Sequence, residues 1–315
     1  MGNMATREAY GRALAEFGSD ERIVVFDADL SKSTNTATFQ KVFPARHINM
    51  GIAEGNMMTT ASGLATCGKI AFASTFAMFA AERSLEQIRN SACYPNLNLK
   101  VCATHAGITV GEDGASHQCI EDLAIMRAIP NMHVVSPCDG ASTRLAIKAA
   151  IETNGPFYVR LGRLAVENVY GEYGDNVPFT LGKANTLKEG TDVTLMATGL
   201  MVQESLKAAE LLKAEGISAA VLDFHTIKPI DKDAIIAASK KTGAIVTVEE
   251  HTIMGGLGGA VAEVLTEFAP CIQKRVGIED MFGQSGKPAE LLALYHLTAN
   301  DIVEKAKAAM AAKKA

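Results

Sequence analysis

His47-Ile-Asn-Met-Gly-Ile-Ala-Glu54-Gly-Asn-Met57 and, after it, Ser74-Thr-Phe-Ala-Met-Phe79 belong to a stretch, Ile48 to Ala81, in which the only ionised side chains are Glu54 and Lys69. A carboxylate in such apolar surroundings is costly unless it is paired; failing that, its pKa rises and it can hold and pass a proton near neutrality. Aromatic rings follow at Phe72, Phe76 and Phe79. An acid that can touch a ring nitrogen, next to rings that can stack, is what a flat heteroaromatic cofactor needs.

Outward from this stretch, short β-branched runs alternate with Ala-rich helical patterns. Strands are expected at Ile23–Phe26, Lys100–Thr104, His133–Ser136 and Phe157–Leu161, and, after a break, at Val193–Ala197, Ala219–Asp223, Ala244–Val248 and Lys274–Ile278. Helical periodicity runs through Ala53–Ala65, Phe76–Ser91, Gly140–Glu152, Val202–Glu215 and Gly258–Phe268. Strand alternating with helix predicts an α/β fold of mostly parallel sheets covered on both faces. The break, Glu167–Gly190, carries Gly171, Gly174, Pro178, Gly182 and Gly190 and reads as a linker, with room for a small hairpin. Two consecutive domains are therefore expected, residues 1–166 and 191–315, joined by 167–190. In open α/β sheets ligands sit beyond the carboxyl ends of the strands. Asp27, Asp29, His105, Pro137, Asp139 and Arg163 follow such ends, all of them before the linker.

Length and composition agree with this. A chain of 315 residues is long enough for two domains, and 48% hydrophobic with 6% aromatic residues and no Trp suits an α/β interior packed with Ala, Leu, Ile and Val. A net charge of −5 argues against a nucleic-acid-binding surface. The six cysteines, at 67, 93, 102, 119, 138 and 271, show neither CxxC nor metal-ligand spacing, and read as reduced thiols of a cytoplasmic protein. Lys69 interrupts the best apolar run, so no membrane span is expected. Met1-Gly2-Asn3-Met4-Ala5-Thr6 fits a loose myristoylation pattern, but the residues from Thr6 onward read as a soluble helix.

His105-Ala-Gly-Ile-Thr-Val-Gly-Glu-Asp-Gly-Ala-Ser-His117-Gln118 is a polar loop with three glycines and two histidines. Glycines let backbone approach a ligand closely, and histidines donate to sugar oxygens or phosphate. This loop, the Glu54 run and the Phe76/Phe79 pair together resemble the transketolase family of thiamine diphosphate enzymes. Glu249–Gly256, the Ile227-Lys-Pro-Ile-Asp231 turn and Glu279-Asp-Met-Phe-Gly-Gln-Ser285 extend the resemblance to the carboxy-terminal domain of that family, so that it covers essentially the whole chain.

The resemblance implies a pyrimidine-binding domain followed by a transketolase C-terminal domain. It implies that Glu54 is catalytic and hydrogen-bonds the aminopyrimidine of thiamine diphosphate, that Phe76 and Phe79 line the pyrimidine pocket, and that Asp29 lies near the cofactor at a subunit interface. Arg7, Ser33, His105 and Arg163 match phosphate-binding positions, with Arg160 competing for the last. Asp113 matches an aspartate that reads sugar hydroxyls, and His117 a histidine beside the reacting centre. Guanidinium, hydroxyl and imidazole together suit a phosphate monoester dianion. A third pocket aromatic, expected three residues beyond Phe79, is Glu82 here. His225 and His251 read as structural or domain-contact residues. The glycines after Glu249-Glu250-His251 fail the GxGxxG spacing, which argues against NAD.

The GDG motif with a downstream Asn, which holds the diphosphate through a divalent ion in thiamine enzymes, is missing; Gly111-Glu-Asp-Gly and Cys138-Asp-Gly do not replace it. Hence the resemblance implies the C-terminal subunit of a split transketolase, with no metal ligands of its own. It would be inert alone and active, as a heterotetramer or similar assembly, with an N-terminal subunit that carries the GDG motif and Mg²⁺ or Ca²⁺. The implied reaction moves a two-carbon ketol unit from a ketose phosphate to an aldose phosphate in pentose phosphate metabolism. Alternatives are the β subunit of a 2-oxo acid dehydrogenase, a deoxyxylulose phosphate synthase-like enzyme, or a non-catalytic interaction subunit.

Overall fold

Ile23-Val-Val-Phe-Asp27 is buried at every position, as a strand covered on both faces must be. In the computed structural model, which describes residues 3–171 and 176–314, this strand lies inside a seven-stranded sheet. Met1, Gly2 and the expected linker glycine Gly174 lie outside the described residues. From one edge to the other the strands are Thr226–Lys228, His133–Val135, Phe157–Arg160, Leu99–Thr104, Ile70–Phe76, Ile23–Asp27 and His47–Asn49. All run parallel except the first, which pairs antiparallel with His133–Val135. From Ile23–Asp27 the chain turns first to one neighbour, His47–Asn49, and then to the other, Ile70–Phe76. The topological switch point therefore falls between Ile23–Asp27 and Ile70–Phe76, and open α/β sheets bind their ligands beyond the carboxyl ends at such a point.

Two expectations change in this half. Phe76 was expected to begin a helix, but it ends the buried strand Ile70–Phe76. With both faces covered, such a strand shows no alternation to read. The helix that follows is two wide turns, Phe79–Arg83 and Ile88–Cys93, flanking Leu85–Gln87. The first two residues of the expected turn Ile227–Asp231 belong to an edge strand, Thr226–Lys228, which covers the open side of His133–Val135 in the first sheet.

The second sheet has the order Ile272–Ile278, Ala244–Thr252, Val193–Ala197, Ala219–Asp223, Asn185–Lys188. Only Asn185–Lys188 is antiparallel, and it comes from the segment expected to be linker. Helix Gly140–Glu152 starts from a capping box in which Asp139 Oδ1 accepts the Ser142 N–H at 2.8 Å. The two sheets share a core: Leu222, Phe224, Ile227 and Ile235 pack into the same apolar cluster as Met126, Met132 and Val134. All six cysteines are free thiols. Among the described residues no helix is long and apolar enough to cross a membrane.

Candidate active site

Glu54 is the first residue of helix Glu54–Ala65, reached through Gly51, whose φ of +69° is a left-handed turn conformation. Its side chain is 2% exposed, and Arg83 Nη1, on a side chain 51% exposed, donates to Glu54 Oε2 at 2.9 Å. The carboxylate is thus stabilised by pairing, and by the partial positive charge of the helix N-terminus. The same guanidinium lies 4.4 Å above the centre of the Phe79 ring.

Phe76 and Phe79 stack, with centroids 5.8 Å apart and planes 14° from parallel. The His105 imidazole stacks on Phe76 at 3.9 Å, and His117 meets Phe79 edge-on at 5.5 Å and Phe76 at 6.3 Å. Strand Ile70–Phe76 delivers Phe76, the wide turn behind it delivers Phe79 and Arg83, and the neighbouring strand Leu99–Thr104 ends at His105. His105 holds φ at +58°, which is uncommon for a side chain other than glycine, and its Nδ1 sits 2.9 Å from Thr104 Oγ1. Glu54, Arg83, Phe79, Phe76, His105 and His117 form one continuous set of contacts.

Cations gather at the other side of His105. Arg7 Nη1 donates to the Ser33 carbonyl at 2.6 Å and Arg7 Nε to the Arg163 carbonyl at 3.2 Å. Burial, followed by the repulsion of Arg7, Arg163 and His117, pushes the His105 pKa down to about 3. Arg7 is itself lowered, by burial and then by Arg163. Arg163 Nη1 also pairs with Glu112 Oε2 at 3.1 Å, so its charge is partly balanced. Guanidinium and imidazole donors grouped in this way have the chemistry that suits an anion. Arg160 is not part of the group. That side chain is 6% exposed, donates from Nε to Asp122 Oδ2 at 2.9 Å, and serves the interior.

The remaining expected residues sit apart from this cluster. Asp29 is exposed and exchanges hydrogen bonds with Asn49: its N–H donates to Asn49 Oδ1 at 3.1 Å and its Oδ1 accepts from Asn49 Nδ2 at 2.9 Å. Asp113 is exposed at the tip of the His105–Gln118 loop. Glu82 stands 4.0 Å from Cys119 Sγ, and burial and then Glu121 raise its pKa. His251, fully buried, accepts the Ala124 N–H of the first sheet's helical layer on Nε2 at 3.3 Å, and His225 stacks on Phe179 at 4.1 Å. Sequence reasoning missed Arg83. Its signal was its place, the first cation after the uncharged run and four residues beyond Phe79.

Fold and site together define a two-domain α/β protein whose first sheet carries, beyond the ends of its strands, a buried carboxylate, paired rings and a group of cations. Residues 2–168 match the family model of the transketolase pyrimidine binding domain, and residues 182–302 that of the transketolase C-terminal domain. A putative transketolase C-terminal section from Methanocaldococcus jannaschii is 52% identical over 95% of this chain and 94% of its own length. A 6-deoxy-6-sulfo-D-fructose transketolase subunit from a Clostridium species is 44% identical over 95% of this chain and 92% of its own. Among solved structures, a split gene transketolase described as an inactive β4 tetramer superposes with a TM-score of 0.92, at 53% identity, covering 98% of this chain and 99% of that one. The chain belongs to the transketolase family, as a match to its split-gene C-terminal subunit.

Proposed function

We infer that this chain supplies half of the active site of a two-subunit, thiamine diphosphate-dependent transketolase, and that an N-terminal subunit with the GDG motif supplies the diphosphate and Mg²⁺ or Ca²⁺ site. The observation that supports this reading is the chain of contacts that joins Glu54, Phe79 and Phe76 to His105, with Arg7 and Arg163 near that histidine. The donor set fits an aminopyrimidine: ring faces for stacking and a carboxylate for a ring nitrogen. When bound, thiamine diphosphate supplies the electron-sink chemistry for cleaving and forming the ketol carbon–carbon bond. This chain's residues do the rest. Glu54 holds a proton at a pyrimidine nitrogen, Phe76 and Phe79 exclude water, His117 moves protons at the sugar hydroxyls, and Asp113 reads their stereochemistry. Arg7, Arg163, Ser33 and His105 hold the terminal anion, and Asp29 borders the cofactor at the subunit contact.

The substrates are a ketose phosphate and an aldose phosphate, the pathway is pentose phosphate metabolism, the setting is the cytoplasm and the assembly is a heterotetramer. Residues 1–166 form the catalytic domain and 191–315 the C-terminal one. The relative that acts on a sulfosugar favours one variation, a sulfonate in place of the phosphate, because two arginines take either anion. The test is to combine this chain with a GDG-bearing partner, thiamine diphosphate and Mg²⁺, and to offer xylulose 5-phosphate with ribose 5-phosphate, a sulfosugar donor, or pyruvate. Ketol transfer is expected; decarboxylation of pyruvate without ketol transfer contradicts the reading.

A further inference from the structure

The loop that carries His105, Asp113 and His117 belongs to the first domain, yet much of what holds its backbone belongs to the second. Glu250, 4% exposed and near the end of strand Ala244–Thr252, accepts the Thr109 N–H on Oε1 at 2.7 Å. Gly107 presses so closely on the same carboxyl group that a Cβ there would lie 2.3 Å from it, and its φ of +80° also favours glycine. The next residue after Thr109, Val110, offers its carbonyl to Arg163 Nη1. Thus the bond that fixes Thr109 also fixes the strap to which a phosphate-binding arginine is tied.

Glu250 is itself held in place. Its carbonyl accepts from Arg160 Nη2 at 2.9 Å, and Arg160 is anchored on Asp122. A small cavity between the domains borders the underside of the loop, lined in part by Thr6, Thr109, Ser136, Arg160 and Glu250. Ile108 of the loop packs into the second domain's apolar cluster, and beside it the backbone at Thr109 rests on the Glu250 carboxyl group. From the other side, Gln118 Nε2 bonds the carbonyls of Ile108 at 3.1 Å and Gly111 at 3.2 Å, and that of Gln284 in the second domain at 2.9 Å. Gly114 sits where a Cβ would lie 2.5 Å from Ser285 Oγ.

We propose that Glu250 of the C-terminal domain is a positioning residue for the anion pocket, holding the His105–Gln118 loop in the conformation that aims His105, His117 and Arg163. This deepens the transketolase reading and rests on it. It gives the second domain a task in substrate recognition, carried by a clamp with Glu250 beneath the loop and Gln284-Ser285 above it.

The test compares Glu250→Met, which keeps the bulk but cannot accept the Thr109 N–H, with Glu250→Gln, which keeps a carbonyl acceptor. In the full chain, hydrogen–deuterium exchange over residues 107–118 rises about tenfold in Glu250→Met and stays near wild type in Glu250→Gln, the loss being that of one charge-assisted backbone bond. In the two-subunit enzyme, KM for the phosphorylated ketose rises about tenfold in Glu250→Met and kcat falls with it, while thiamine diphosphate affinity holds and Glu250→Gln restores both, because anchoring through His105 and Arg163 and the aim of His117 are lost together. Unchanged exchange in Glu250→Met overturns the proposal, and so does a parallel loss of cofactor affinity and melting temperature with Gln no better than Met. If the wild-type pair transfers no ketol unit while loop exchange still responds to Glu250→Met, the proposed activity fails and the positioning role stands.

Discussion

At the scale of single residues, Glu54 combines two conditions that rarely coincide, near-complete burial and a partner that reaches it from the surface. Arg83 spans the gap by lying across Phe79 and donating to the carboxylate. Replacing Glu54 with Ala is expected to abolish ketol transfer by the two-subunit enzyme while subunit assembly, followed by gel filtration, survives; retained turnover contradicts the role. Arg83 holds a ring face and a carboxylate oxygen that an aminopyrimidine needs, so its substitution by Ala is expected to raise thiamine diphosphate affinity, measured calorimetrically, by about tenfold, and a weaker affinity would contradict that competition. His105 gives a pH signature. Its pKa is depressed in the folded chain to about 3, so below the ordinary value near 6.5 the unfolded chain binds the proton that the native one refuses. Stability from this group is therefore complete above pH ~6.5 and is lost as the pH falls from there toward ~3. Urea unfolding should show wild type losing about 2 kcal/mol more than His105→Gln between pH 7 and pH 5.

At the scale of elements, the sequence was most legible where a pattern is local. Helix Gly140–Glu152 has the bounds expected of it, because Asp139 and Ser142 supply both halves of its cap within four residues. Removing the cap by Asp139→Ala should cost about 2 kcal/mol in urea unfolding, since Oδ2 also accepts the Tyr170 N–H at 2.9 Å. Strand Ile70–Phe76 was not legible, because burial on both faces erases alternation and its Phe76 and Phe79 imitate helical spacing. The wide turn Phe79–Arg83 was equally hidden. Such turns insert a residue into a helix, are common at functional sites, and leave no periodicity to find. Asn185–Lys188 and Thr226–Lys228 are edge strands specified by the sheets they join, not by their own composition. The candidate site was legible as residue types in a loop, but the choice of Arg163 over Arg160 was not. Arg160 ends the strand that Arg163 follows, and the buried Asp122, far away in sequence, claims the first of them.

At the scale of the whole molecule, the two sheets share an apolar core and cross-brace each other. Thr226–Lys228 extends the first sheet from the second half of the chain, and Glu250 and Gln284 meet the His105–Gln118 loop. The second half is thereby part of what shapes the first. The sequence carries no GDG motif with a downstream Asn, and the diphosphate-bound ion is accordingly assigned to another polypeptide. The direct test holds a GDG-bearing N-terminal subunit constant, with thiamine diphosphate, Mg²⁺ and a ketose–aldose phosphate pair, and titrates this chain into it while ketol transfer is followed. Neither chain alone should transfer a ketol unit, and activity should rise to saturation at equimolar subunits. Transfer by this chain without the other, or an N-terminal subunit whose activity does not respond to its addition, would contradict the two-subunit assignment.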